Sequence, residues 1–431
     1  MQVSMKRFFN FVPVKIILPG ILVAATGVGA GDLATASFTG NLLGTSILWA
    51  VVLGALLKFV LNEGLARWQL ASGFTLLEGA IAEYGKIISV FFLPYLLIWS
   101  FFVGAALMGA CGVTSHAIYP LYEDPNIDKI VYGVGHSLLG LGLVLFGGFK
   151  LFEKIMSFCI SVMFLSVLTT AAFLWPGFGE LAQGLIPQPW DLSSEGLTWT
   201  IALMGGVGGT LTILCYGYWI REENREGVEY LQTCRIDLAV AYIMIAVFGM
   251  AMIIIASGVD IEGKGGAKLL VNLADHLEKP LGSFGRWTFL IGAWGTVFSS
   301  LLGVWQSVPY IFADFYQQVL TNDSNVEVVL ARKVNTSSKP YRGYLFALAF
   351  IPMLGLFYDF REVQKIYAVV GAFFMPLLAM TLLALNAKSS LLGKDFTNGR
   401  WAKGALLVTV FFFSWILWVK LSEFIWAFFS F

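Results

Sequence analysis

The chain has 431 residues, of which 58% are hydrophobic and 13% are charged, well below the roughly 25% charged residues of soluble globular domains. Lysine plus arginine and aspartate plus glutamate number 27 each, so the chain has no net charge and lacks the basic face that nucleic-acid binding requires. Apolar runs of membrane-spanning length recur from Val14 to Trp426. The sequence therefore predicts a single polytopic domain, residues 1–431, in a lipid bilayer.

Eleven segments are apolar and long enough to be membrane-spanning helices. In chain order, spans one to eleven are predicted at 14–37, 45–66, 88–112, 132–148, 153–175, 197–219, 237–257, 287–311, 343–357, 363–386 and 405–428.

Lysine and arginine determine the predicted orientation, because cytoplasmic loops are enriched in these residues. With the N-terminus inside, the inner segments hold eighteen of them and the outer segments hold seven. We therefore expect a cytoplasmic N-terminus and, because the number of spans is odd, a C-terminus outside. The predicted location is the plasma (inner) membrane of a prokaryote.

Spans one and six each contain a dense glycine cluster. Three of the five residues in 27–31 are glycine, as are four of the five in 205–209, and polar side chains follow each run. Broken helices at corresponding positions of two halves are typical of a transporter binding site, because unwound carbonyls and half-helix ends can face a substrate there. The alternative is that these glycines only allow helices to pack closely. We predict that both helices are broken at these clusters.

Three stretches around spans one and two follow a known pattern: Leu18-Pro19-Gly20, Thr45–Trp49 and Leu65–Gly73. Here the sequence resembles the natural resistance-associated macrophage protein (Nramp) family of divalent-metal transporters. The resemblance implies an all-α, leucine-transporter-type fold with two inverted five-helix repeats, an eleventh helix, and helices 1 and 6 broken. The implied parts are repeat one at about 14–175, repeat two at about 197–386 and the extra helix at 405–428.

The metal motifs of that family are altered here. The family's Asp-Pro-Gly-Asn falls on residues 29–32, so the usual aspartate is replaced by Gly29 and a carboxylate, Asp32, stands in place of the asparagine. The family's Met-Pro-His falls on residues 212–214, so Thr212 replaces the thioether ligand. By this resemblance the candidate substrate-binding residues are Asp32, Gly29, Gly209 and Thr212, with Asp32 and Thr212 as candidate metal ligands. Thr26 is a further candidate, because its hydroxyl flanks the first glycine cluster.

Asp32 and Lys58 are the charged residues that the sequence singles out within spans. A charge at mid-membrane depth costs about 2.5–3.5 kcal/mol on insertion scales, so function is the default interpretation of Asp32. The alternative is that Asp32 only caps a half-helix that begins at Leu33. No other acid is expected near the middle of spans one or six, because Asp314 is predicted to lie beyond span eight. Lys58 either pairs locally with Asn62 or within the bundle, or serves as a resident positive charge that replaces a coupling cation.

These residues predict a secondary transporter that moves a hard divalent cation such as Mn²⁺ or Mg²⁺ by alternating access, since the candidate ligands are oxygens. Two alternatives keep the same fold: an amino-acid-like organic-solute carrier, and a non-transporting sensor. The sequence shows no nucleophile and base, phosphate loop or metal-binding histidine pair, so we expect neither an enzyme nor a resident cofactor.

Overall fold

The computed structural model describes residues 18–29, 31–187, 194–258, 269–321 and 334–429, and helices are the only regular secondary structure over them. Eight of the described stretches are long and apolar enough to cross a membrane, which confirms a polytopic membrane protein. The helices, including short 3₁₀ and π-helical segments, are Leu18–Gly27, Gly31–Thr35, Ala36–Leu43, Gly44–Ile47, Leu48–Ser72, Leu76–Tyr84, Lys86–Ile118, Pro125–Phe173, Phe178–Gly184, Ser194–Gly206, Leu211–Leu214, Cys215–Glu222, Val228–Tyr230, Leu231–Ser257, Leu269–Thr321, Lys339–Phe350, Ile351–Phe357, Phe360–Ala372, Phe374–Leu385, Ser389–Leu392, Lys394–Phe396 and Arg400–Phe429.

Each predicted span coincides with helix, but several helices run further than predicted. Span two continues to Ser72 and span eight to Thr321, so the expectation that Asp314 lies beyond span eight is wrong. Hydropathy finds only the part of a helix that faces hydrocarbon. The polar ends of these helices are instead buried by protein: Asp314 is 2% exposed. The first predicted residues of span one, 14–17, lie outside the described part of the chain.

Long helices are bent where glycine allows it. Spans four and five form one helical stretch, Pro125–Phe173, that turns at Gly148 (φ +67°). The stretch that contains span eight, Leu269–Thr321, turns in the same way at Gly282 (φ +62°). A positive φ is available to glycine without steric cost, so the chain can turn at these two residues.

Spans one and six are broken at the predicted glycine clusters. In span one the first helix ends at Gly27 and a π-helical turn begins at Gly31, with Ala30 between them outside the described residues. In span six the helix ends at Gly206, and Gly208 and Gly209 adopt φ values of +74° and +83° before helix resumes as a 3₁₀ turn. The prediction of two discontinuous helices is confirmed.

The two breaks pack directly against each other. A β-carbon added at Gly27 would lie 2.8 Å from the carbonyl carbon of Gly208, and one added at Gly31 would lie 3.5 Å from the carbonyl oxygen of Gly206. The glycines therefore do both things that the sequence suggested, since they break the helices and also let two backbones approach. This contact brings the residues around both breaks into one site.

A buried ion pair anchors the first piece of span one and the second piece of span six to span seven. Asp237, which is fully buried, accepts hydrogen bonds from the amide of Gly20 at 2.7 Å, the hydroxyl of Tyr216 at 3.0 Å and the guanidinium of Arg225 at 3.1 Å. Removing one partner of such a pair typically costs about 3–5 kcal/mol. The same carboxylate thus holds both half-helices to span seven.

Candidate cation site at the two helix breaks

Asp32 lies in the first turn of the π-helical segment and is fully buried. Its Oδ2 accepts a hydrogen bond from the amide of Gly29 at 3.4 Å, whereas its Oδ1 has no partner among the described residues. The expected half-helix start at Leu33 is two residues too late, because the π-helical turn already begins at Gly31. A carboxylate in a first turn still suits the positive end of the helix dipole. One oxygen is therefore held by backbone, and the other is buried without a hydrogen bond to the described residues.

Lys58 reaches from span two into the break of span six. Its side chain is 1% exposed, and Nζ donates to the carbonyls of Gly205 at 2.7 Å, Gly209 at 2.6 Å and Val207. It also interacts electrostatically with Asp32. The suggested local contact with Asn62 is not formed; the Asn62 amide donates to the Tyr242 hydroxyl instead. The carbonyl of Gly209, expected to face the substrate ion, is bound by this ammonium.

These carbonyls accept from Lys58 because the break removes their helical partners. The amide of Gly209, which would bond Gly205 in an unbroken helix, donates to Gly206 at 3.2 Å. The amide of Ile213, the helical partner of the Gly209 carbonyl, donates to Thr210 at 3.1 Å. Backbone polar groups inside a membrane need a donor or acceptor from the protein itself, and the lysine supplies the donors here.

Span eight supplies the donors for the break in span one. The Ser300 hydroxyl donates to the carbonyls of Thr26 at 2.6 Å and Val28 at 3.4 Å, and Ser299 donates to Ala25 at 3.1 Å. Hydrogen bonds between spans thus satisfy carbonyls at the break of span one.

The hydroxyls around the breaks fall into two groups. Ser37 donates to the Leu33 carbonyl of its own helix at 2.5 Å, as Ser and Thr commonly do. In contrast, Thr26 Oγ1 and Thr35 Oγ1 are buried without a hydrogen-bond partner in the described chain. Together with Asp32 Oδ1, they give three unpartnered oxygens beside the breaks, where each would gain from a ligand.

Thr26 and Thr212 line one narrow cleft, together with Gly208. Asp32 does not line that cleft, although the Gly208 backbone also faces its carboxylate. The candidate residues thus lie at the two breaks, where Gly208 adjoins both the cleft of the two threonines and the carboxylate of Asp32.

Two aromatic residues at the site were not found from the sequence. The Trp99 indole donates to Thr210 Oγ1 at 2.7 Å. The Tyr367 hydroxyl faces both Thr210 and Asp32. Aromatic residues make up 15% of the chain, so neither one stands out in an apolar run, and only their contacts reveal them.

The side chains around the breaks limit which metal ions could bind there. The described residues contain no group of three or more His, Cys, Asp or Glu side chains that could hold a metal ion. A metal at the breaks would therefore have Asp32 as its anionic ligand, with hydroxyl, carbonyl or water oxygens completing the shell. Such oxygen ligands suit hard cations better than soft ones.

Comparison with known proteins agrees with this architecture. The family model described as natural resistance-associated macrophage protein-like matches residues 20–422. An uncharacterized protein of Pasteurella multocida (strain Pm70) is 24% identical over 393 residues, which cover 86% of this chain and 84% of that protein.

Solved structures show the same fold. The Eremococcus coleocola manganese transporter, in complex with an aromatic bis-isothiourea substituted compound, has a TM-score of 0.71 at 18% identity over 98% of this chain and 89% of its own. MhsT in complex with L-phenylalanine has a TM-score of 0.58 at 15% identity over 95% of this chain and 98% of its own. These likenesses confirm the predicted leucine-transporter-type fold with two inverted five-helix repeats and an eleventh helix.

Replacing Ser300 tests whether span eight satisfies the break in span one. We expect Ser300→Ala to lower the free energy of unfolding by about 1–3 kcal/mol, because buried carbonyls lose their donor. The matched control is Thr296→Val on the same helix, since the Thr296 hydroxyl donates to the Gly292 carbonyl at 2.8 Å, within its own helix. That change should cost less, because a hydroxyl bonded within its own helix only supplements a backbone carbonyl that already accepts a helical hydrogen bond. Thermal unfolding of purified protein in detergent measures both, and equal effects would contradict the assignment.

Proposed function

This chain belongs to the natural resistance-associated macrophage protein-like family, and on that premise we propose that it is a secondary transporter that carries a hard divalent cation, such as Mn²⁺ or Mg²⁺, by alternating access. One observation carries the proposal: Asp32, fully buried where two broken helices touch, has an unpartnered oxygen. A charged carboxylate at this depth is costly, and carboxylates within membrane spans typically have a function. The manganese transporter of Eremococcus coleocola, a structural relative, supports a metal substrate over an enzymatic role.

The proposed binding shell is made of oxygen. Asp32 provides the charge, and the unpartnered hydroxyls of Thr26 and Thr35 are neutral ligand oxygens within the same broken region. Thr212 occupies the position that resemblance gives to a thioether, and as a hydroxyl it favours hard ions. Gly29 contributes backbone at the break of span one, whereas the Gly209 carbonyl is already bound by Lys58.

Movement of the half-helices would open the site to each side in turn. The pieces Leu18–Gly27 and Cys215–Glu222 are each separated from the rest of their span by glycine-containing backbone. The positive φ angles at Gly208 and Gly209 mark a place where rotation meets little steric resistance. Because Asp237 binds both pieces, we expect them to move together or to release that ion pair.

The wider organisation follows the same proposal. The two repeats would occupy about residues 14–175 and 197–386 within one domain, with 405–428 as the extra helix. The N-terminus would be cytoplasmic and the C-terminus outside, in the plasma (inner) membrane of a prokaryote, because Lys and Arg are concentrated in the inner segments.

An organic-solute carrier is the second candidate, and the position of Lys58 favours it. The Lys58 ammonium already binds the carbonyls at the break of span six, so a divalent ion that enters the site meets a positive charge close by. A zwitterionic solute instead would match one buried carboxylate and one buried ammonium. MhsT, a structural relative, is named in complex with L-phenylalanine. The absence of flux for metals and amino acids alike would favour the non-transporting sensor.

The first functional test is uptake of Mn²⁺ and Mg²⁺ into proteoliposomes, with an amino-acid panel alongside. We expect metal uptake by the parent protein and a loss of about tenfold or more in Asp32→Asn, since even the outer partners of metal ligands typically contribute about 10–100-fold. Asparagine keeps the size of the side chain, so the variant should remain folded.

The matched control is Asp124→Asn, because Asp124 is an exposed aspartate that caps the helix Pro125–Phe173 and asparagine also serves as a cap. Its uptake should equal that of the parent. If Asp32→Asn transports metal as the parent does, Asp32 is only a structural residue. If amino acids move and metals do not, the organic-solute function replaces the proposed one.

The second functional test is metal preference. With no thioether at residue 212, Cd²⁺ should compete no better than Mn²⁺ for uptake. We expect Thr212→Met to raise the apparent affinity for Cd²⁺ relative to Mn²⁺ by about tenfold, while Thr212→Leu, of similar volume without sulfur, should not. Competition assays on the three proteins give this ratio. A parent protein that already strongly prefers Cd²⁺ would refute the oxygen-only site.

A further inference from the structure

Lys58 has a bonding pattern that an ordinary buried salt bridge does not have. Its Nζ has three hydrogen-bond partners, and all three are carbonyl oxygens of the span-six break: Gly205, Val207 and Gly209. Among the described residues, no carboxylate lies within hydrogen-bond or ion-pair distance of Nζ. The side chain is 1% exposed, so water does not replace these contacts.

Three carbonyl partners match the donors of the charged form of the lysine. A lysine ammonium has three N–H donors and no acceptor, so three carbonyls satisfy it completely. A neutral amine has two N–H groups, and its lone pair would face the third carbonyl oxygen. Asp32 interacts with Lys58 electrostatically and compensates the buried positive charge.

The same three carbonyls form a ring of the kind that binds a bare cation. They alternate along the chain at residues 205, 207 and 209, and the break turns them towards one point, the Lys58 nitrogen. Unwound carbonyls of broken helices commonly coordinate monovalent ions in secondary transporters. In this chain the cation at that point is covalently attached to span two.

We propose that Lys58 is a resident cation: its ammonium takes the place of a dissociable monovalent cation in the carbonyl ring of the span-six break and holds that break in shape. A consequence, which rests on the proposed function, is that the substrate ion is confined to the Asp32 side of the breaks. The ring at residues 205–209 is then closed to metal.

Chemical rescue of a truncated lysine tests the resident cation directly. Lys58→Ala removes Cγ, Cδ, Cε and Nζ, and propylammonium consists of those same atoms. We expect Lys58→Ala to unfold at a lower temperature than the parent. Millimolar propylammonium should then raise the unfolding midpoint of the variant by about 2–5 °C, as expected for a ligand that binds only the folded state. The parent should not respond.

Two controls separate charge from packing. The alcohol 1-propanol fills similar space without a charge and should not restore stability. Lys129 is the matched lysine: it is 2% exposed but donates to a single carbonyl, that of Tyr358, at 2.7 Å. Lys129→Ala should lose stability without a comparable response to propylammonium. Equal rescue of Lys58→Ala by 1-propanol, or no rescue by the amine, would overturn the proposal.

A second variant covers the case in which Lys58→Ala does not fold. Lys58→Met keeps the length of the stem but leaves the carbonyl ring without a donor. We expect NH₄⁺ or Na⁺ to raise its unfolding midpoint by about 2 °C or more, with no such shift in the parent. A variant as stable as the parent and insensitive to both ions would refute the resident cation.

These measurements use purified protein and need no transport. Amine rescue without metal uptake would leave the resident cation standing while the metal-transport function fails. Metal uptake without amine rescue would support the metal-transport function and refute the resident cation. Lys58 would then be a structural lysine in an active transporter.

Discussion

A helix that breaks inside a bilayer must find donors for the carbonyls it releases, and the rest of this structure depends on how that requirement is met. Span six obtains its donors from Lys58, whose ammonium binds three carbonyls at once. Span one obtains them from Ser299 and Ser300 on span eight. Because the donors come from neighbouring spans, the breaks are part of the packed bundle and persist as defined sites.

The choice of donors gives the two breaks different chemistry. Neutral serine hydroxyls leave span one without added charge, and the buried carboxylate of Asp32 then makes its break negative. Lys58 makes the neighbouring break positive. A solute that enters between them meets one charge of each sign at close range, in surroundings that screen charge weakly. Under the proposed function the cation is therefore drawn to Asp32 and kept from the carbonyls of residues 205–209.

The broken helices could be predicted from the sequence because glycine density is a local signal. The fold followed from the resemblance of residues around spans one and two. Asp32 was recognisable as the buried acid because charges within spans are rare. What Lys58 binds could not be predicted, since its partners are carbonyls about 150 residues away and carbonyls carry no sequence signal. The depth of Asp314 was missed for a related reason: protein, not lipid, buries the polar end of span eight.

The central claim is that a cation binds at Asp32 while Lys58 stays in the carbonyl ring of span six. Anomalous X-ray scattering from crystals equilibrated with Mn²⁺ tests it most directly. The account predicts one ion within coordination distance of the Asp32 carboxylate, with the Lys58 nitrogen still on the carbonyls of Gly205, Val207 and Gly209. An ion coordinated by those carbonyls with Lys58 displaced, or an ion bound only away from the two breaks, would contradict it.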